Sequence, residues 1–179
     1  MARLPYADLT APGGQPLVDR IVRERGSVLH LYQMLLHSPP VAEGWLGYLT
    51  AIRQQSSLSP ALRELVIMRV AAINGAPYEA EQHAPIALKE GVTQDQLDDL
   101  AAWEGSSCYT PEQRAVLALT DGMTRRVQVP APAVAAVRAF LNDREVVELV
   151  ATVGAYNMVS RFLEALDIHS KDERGGKPG

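Results

Sequence analysis

Two carboxylates and an imidazole fall close together in the middle of the chain. The stretch NGAPYEAEQH, Asn74 to His83, carries Glu79 four residues before His83, and Glu64 stands one predicted helix earlier. Residues at i and i+4 share one face of a helix. A carboxylate beside an imidazole favours the imidazolium, and such a pair can accept and return a proton near neutral pH. Glu64 has Ile67, Met68 and Ala71 as its i+3, i+4 and i+7 neighbours, so it projects from an apolar face. Partial burial there would move it toward the working range of a general acid. The plainer reading stays beside this one: an i, i+4 Glu–His pair is often a solvated helix pair, and a glutamate near a helix N-terminus is favoured by the macrodipole alone. Two carboxylates and one histidine are also a conceivable metal set. No second histidine has helical ligand spacing to His83, however, so neither a metal nor a cofactor is expected.

The elements that must position these residues read as helices. QPLVDRIVRERG puts Leu17, Ile21 and Val22 on one face and ends at Gly26. A short apolar helix from Ser27 should stop at Pro39 and Pro40. The next segment spaces Val41, Trp45, Leu46, Leu49 and Ile52 helically. Ser59 and Pro60 read as N-cap and first helical residue, and Asn74-Gly75 as the stop. Between them ALRELVIMRVAAINGA is apolar on nearly every side, the pattern of a helix buried in a core or covered by other subunits. Pro77 opens the helix of Glu79 and His83, and Pro85 should kink or restart it. Since Asn74 to Pro77 is a short link, these two helices should lie side by side. Capping-box patterns at Thr93/Gln96, Thr110/Gln113 and Asn142/Glu145 open three more helices, the last one long. VQVPAPAVAAVRAF supplies a short helix, and VQV is too short for a strand. SPALRELV and DREVVELV place Glu64 and Glu148 alike, which reads either as an old duplication or as a common way to start helices.

The bulk numbers bound the class. With 179 residues, 47% hydrophobic and 21% charged, the chain suits one soluble domain with a real core. A net charge of -4 and sparse aromatics argue against nucleic acid as a partner. One cysteine, Cys108, permits no intrachain disulfide and agrees with a reducing compartment. The N-terminus lacks a signal-peptide core, and no run reads as long enough for a membrane span. A cytoplasmic protein with a small-molecule substrate and no membrane partner is expected.

Leu58 to about Leu100 resembles the carboxymuconolactone decarboxylase family, which includes the alkylhydroperoxidase-like proteins. The peroxidase branch shows a glutamate, eleven residues, Cys-x-x-Cys, three residues and a histidine; here that frame falls on Glu64, Ala76, Glu79 and His83. The glutamate and histidine keep their spacing, while Ala76 and Glu79 replace both cysteines. RELVIMRVAAINGAPYEAEQHAPIALKEGVT is similar to the decarboxylase branch, where a glutamate also precedes the histidine by four. LLHSPPVAEGW and AYNMVSRFLEALDI, with its Asn157…Arg161 pair, extend the likeness over most of residues 27–168. The resemblance implies an all-α, single-domain helical bundle of the alkylhydroperoxidase-like type. It would have an N-terminal arm and helix (1–26), a core domain (27–168) and a polar tail (169–179), and would assemble as a homo-oligomer, trimer or hexamer.

A thiol peroxidase needs an attacking thiolate and a resolving thiol, which the motif here lacks. Cys108 lies outside it and reads as a small hydrophobe or idle thiol. Alkylhydroperoxidase or peroxiredoxin-like activity is therefore disfavoured. Lactone decarboxylation needs no thiol: CO₂ leaves, electrons flow into the unsaturated lactone, and carbon must then be protonated. On this reading His83 is the proton donor, Glu79 its orienter, and Glu64 a second acid/base. Arg161 holds a substrate carboxylate or simply pairs with the Asn157 turn or Glu164. Tyr78 and Tyr156 supply hydroxyl donors or plain packing. The remaining alternative is a non-catalytic helical binding protein. Elsewhere, Trp45 and Trp103 read as core or interface anchors, and His30 and His37 as partly exposed helix positions. Arg69 should find a carboxylate or an interface.

Overall fold

The structure, a computed structural model, describes residues 1–11 and 13–172. The end of the polar tail read from sequence lies outside the described residues. The architecture is all-α, with no strand among the described residues. The chain forms two compact units, Met1–Gln54 with Leu163–Gly179, and Gln55–Phe162.

In the first unit, α1 (Gln15–Arg25) and α2 (His30–Leu35) pack on α3 (Pro39–Gln54). Val18 and Ile21 are the buried residues of α1, while Val22 is exposed. The apolar face therefore sits one position away from the expected Leu17/Ile21/Val22 stripe. Pro39 and Pro40 begin α3 rather than merely stopping α2, because a first-turn proline gives up no helical hydrogen bond. Ala42, Trp45, Leu46, Leu49 and Ile52 face inward, and Val41 is exposed. His30, expected to be partly exposed, is buried, with Nε2 3.0 Å from the Asp172 carbonyl and its ring edge-on to Tyr6. His37 is exposed, its Nε2 2.7 Å from the Pro5 carbonyl.

The second unit is built around α4 (Pro60–Asn74), which packs against α5 (Pro77–Lys89), α7 (Pro111–Arg125) and a 3-10 turn at Leu100–Gly105. Every α4 residue from Leu62 to Ala71 is buried within the chain itself. The apolar surround of this helix therefore needs no second subunit to explain it. Ser59 is the N-cap residue but its side chain makes no capping bond, and Gly75 ends α4 in the left-handed region at φ 61°, where glycine meets no Cβ penalty. The capping boxes of α6 (Gln94–Asp98) and α7 are formed as read, and Asn142 and Glu145 exchange the same pair of bonds ahead of α9 (Asp143–Leu166). α6 is short and breaks at Asp99 into the 3-10 turn. Arg69 fastens that turn: it forks onto both Asp121 oxygens at 2.6 Å and donates to the Leu100 carbonyl at 2.7 Å. The short α8 (Ala131–Arg138) packs on α7.

Two further expectations are corrected. α5 runs unbroken through Pro85, so the helix does not restart past His83. Pro85 and Glu81, one turn before it, are both exposed, and water can serve the backbone that proline cannot. By length and composition α9 is long and apolar enough to cross a membrane, contrary to the expectation that no run was. Half of its apolar window is buried inside the protein, and Thr152, Asn157 and Ser160 on it are buried polar residues, as in the core helix of a globular unit.

Candidate acid–imidazole site

Three helices of the second unit bring the site together. α4 contributes Arg63 and Glu64, α5 contributes Glu79 and His83, and α9 contributes Tyr156 and Ser160. The left-handed turn at Gly75 and the immediate restart at Pro77 fold α5 back on α4. Glu64 then spans the gap: its Oε2 lies 2.7 Å from His83 Nδ1. The packing of α5 on α4 thus puts Glu64 on the imidazole. Its other oxygen accepts from Arg63 Nε at 3.3 Å. Glu64 is 0% exposed, Glu79 2% and His83 7%, so the trio is not a solvated surface pair.

α5 and α9 meet along matching turns. The Tyr156 ring stands edge-on to His83, centroids 5.1 Å apart. One turn along each helix, the Ser160 hydroxyl is within hydrogen-bond reach of Glu79 Oε2 and, at 2.9 Å, of the Tyr156 carbonyl. The hydrogen bond that orients His83 Nδ1 comes from Glu64, the residue read as a second acid/base, whereas Glu79, read as the orienter, engages Ser160. A buried Arg, two acids and an imidazole are tolerable only as a mutually bonded set.

With Nδ1–H directed at Glu64, the neutral ring is held in the tautomer that carries its lone pair on Nε2. This is the carboxylate–imidazole arrangement that fixes tautomer and ring orientation.

The other nominated residues are placed differently. Tyr78 is buried on α5. Asn157 is buried and donates to Thr124 Oγ1 and the Val153 carbonyl, while its Oδ1 accepts from Asn74 Nδ2 and Arg161 Nη1. Arg161 is exposed and reaches back to the Asn157 turn. On α9 this pair lies about 100° around from Tyr156 and Ser160, and its bonds tie α9 to α4 and α7. Cys108 is half-buried beside the Ser106 hydroxyl. Ala76, at the first lost cysteine position, is buried. Among the described residues no group of three or more His, Cys, Asp or Glu side chains is arranged to hold a metal ion.

Two members of the cluster were not legible beforehand. Arg63 neighbours Glu64 in sequence, and adjacent helical residues ordinarily point apart. Ser160 had a signal, since it sits four residues after Tyr156 on an apolar helix, where a hydroxyl that faces inward must find partners.

Glu148, the sequence echo of Glu64, has a different task. Its carboxylate accepts from Arg144, from the hydroxyls of Ser56 and Ser57, and from the backbone N–H groups of Ser57 and Leu58. It ties the segment before α4 to α9.

The Carboxymuconolactone decarboxylase family model matches residues 39–122. The uncharacterized protein YdfG of Bacillus subtilis (strain 168) is 30% identical over 115 residues, covering 63% of this chain and 78% of the relative. Among solved structures, an alkylhydroperoxidase AhpD core, a peroxidase-related protein from Ralstonia eutropha JMP134, superposes with a TM-score of 0.82 at 19% identity, over 96% of this chain and 93% of that one. A peroxidase-related protein from Silicibacter sp. TM1040 gives 0.78 at 19% identity, over 93% and 88% of the two chains. A single-residue variant of the debrominase Bmp8, solved in complex with 2,3,4-tribromopyrrole, gives 0.77 at 17%, over 93% and 90%. At such identities these structures share a fold with this chain.

Proposed function

The chain belongs to the carboxymuconolactone decarboxylase/AhpD-like superfamily, and from that premise we propose that it is a cofactor-free carbon–carbon lyase acting by acid/base chemistry on a small carboxylated or lactone-type substrate. The observation that carries this reading is the buried 2.7 Å contact between Glu64 and His83 Nδ1. Glu64 accepts from Nδ1–H, favours the imidazolium, and leaves Nε2 as the proton-exchanging nitrogen. The substrate loses CO₂, its electron pair enters the unsaturated lactone, and His83 delivers a proton to the carbon. Arg63 holds Glu64 from its other side, which keeps the acceptor in register.

The peroxidase-related neighbours do not bring thiol chemistry with them. Ala76 and Glu79 occupy the cysteine positions of that motif, and the chain has one thiol in all. A peroxide-consumption assay with a dithiol reductant is expected to stay at background. Replacing His83 by Ala should lower turnover of a muconolactone-type acid by about 10²–10⁴-fold, the ordinary yield of a positioned acid/base. Unchanged turnover in that variant would remove the mechanism, and no turnover in the parent protein on any such acid would favour a helical binding protein. We also propose a cytoplasmic homo-oligomer, supported by the single cysteine and by the exposed apolar Val147, Val150 and Met158 on α9. Light scattering tests the assembly: a trimer or hexamer gives three or six times the 19.5 kDa chain mass.

A further inference from the structure

We propose that Glu79 is held as the neutral carboxylic acid near neutral pH and is the proton reserve of this site, with Ser160 as its positioning residue. The argument begins with a proton count. A serine hydroxyl has one proton to give and lone pairs to accept with. Ser160 Oγ lies within hydrogen-bond distance of two oxygens, the Tyr156 carbonyl at 2.9 Å and Glu79 Oε2. A carbonyl can only accept. Helical serines commonly turn their hydroxyl back onto the i−4 carbonyl, and the Tyr156 contact has that spacing. With the serine proton directed there, the contact with Glu79 is completed by a proton on the carboxyl, donated to Ser160 Oγ.

The surroundings favour the same state. Glu79 is 2% exposed, and burial disfavours a carboxylate. Glu79 bonds Ser160 of α9, whose hydroxyl also meets the Tyr156 carbonyl, and the Tyr156 ring in turn stands against His83, which is bonded to Glu64 and through it to Arg63. Arg63 and Glu64 balance one another across a 3.3 Å contact. A neutral Glu79 also lets an anionic substrate enter without net repulsion.

The use of this proton in turnover rests on the lyase reading above; its presence does not. After His83 has protonated the substrate carbon, Glu79, one turn away on the same helix face, returns a proton to the imidazole. Its O–H bond breaks as the imidazole N–H bond forms. The carboxylate left behind takes a proton from water as CO₂ and product leave. Nothing is oxidised or reduced.

Infrared spectroscopy of the full chain in D₂O at about pH 7, where a glutamate titrating at an ordinary ~4.3 is almost wholly ionised, should show a protonated-carboxyl C=O band. That band should vanish in Glu79→Gln, move in Ser160→Ala and return to its original position in Ser160→Thr. If Glu79→Gln does not fold, carbon-13 NMR of glutamate-labelled parent protein replaces it. One glutamate carboxyl, the one perturbed in Ser160→Ala, should then keep its protonated shift at that pH. Absence of such a band and resonance, or a band indifferent to Ser160→Ala, overturns the proposal. A band present without lyase turnover keeps the stored proton and defeats the lyase reading, so the two fail separately.

Discussion

At the scale of single residues the site is decided by which oxygen meets which proton. Glu64 serves both Arg63 and His83, so its removal strands two partners at once. Glu64→Gln keeps the volume but withdraws the anion that favours the imidazolium. We expect the basic limb of the pH–rate profile to move to lower pH in that variant, while the fold survives; a profile identical to the parent's would contradict the assigned orientation of His83. Arg63 is 8% exposed, and Arg63→Ala leaves a buried carboxylate short of a cation. Breaking a buried pair in this way typically costs about 3–5 kcal/mol, which denaturant unfolding would register. Two of these roles were visible in the chain as letters: an acid and an imidazole four apart, and a further acid on an apolar face. Their assignment was not, because Glu79 and Glu64 are interchangeable in sequence until the approach of α4 to α5 places one of them against Nδ1.

At the scale of elements, α4 is the beam from which the second unit is hung. Leu65 is 0% exposed and sits in a cluster with Met68, Ala87, Trp103 and Leu117. Leu65→Ala should therefore cost about 2–5 kcal/mol by lost burial and residual cavity, read as a lowered midpoint in urea. Glu148 holds the segment leading into this helix. Burial would raise its carboxyl, but hydrogen bonds from Arg144, Ser57, Ser56 and the Leu58 N–H outweigh that and hold it at about 2, below its ordinary 4.5. A carboxyl lowered by folding contributes stability that is fully present above its ordinary value and is lost as pH falls toward the folded value. Thermal stability should therefore decline between about pH 4.5 and 2 in the parent, and Glu148→Gln should flatten that decline. The helices themselves were largely legible, from capping boxes, first-turn prolines and terminal glycines, because these are local devices. The misses have non-local causes. Pro85 is carried through α5 at an exposed position, and the inward faces of α1 and α3 were fixed by what they pack against.

At the scale of the whole molecule, the chain is an all-α member of the carboxymuconolactone decarboxylase family, with a glutamate and a histidine at the spacing of the motif and no thiol at either cysteine position. Sequence alone established the helical class, the absence of a Cys-x-x-Cys motif and the nomination of Glu64, Glu79 and His83, because these rest on residue identity and on short periodicities that adjacent residues impose on one another. Of the two readings it left for Arg161, the structure forms the one onto the Asn157 turn, and Asn157 is bonded in addition to Asn74 and Thr124. Only the tertiary structure decided that Glu64 takes the imidazole, that Ser160 reaches Glu79, and that α4 buries its whole circumference within one chain. Those outcomes depend on crossing angles between helices far apart in the chain. A crossing angle is set by the fit of two surfaces, a quantity that neither helix's own residues contain.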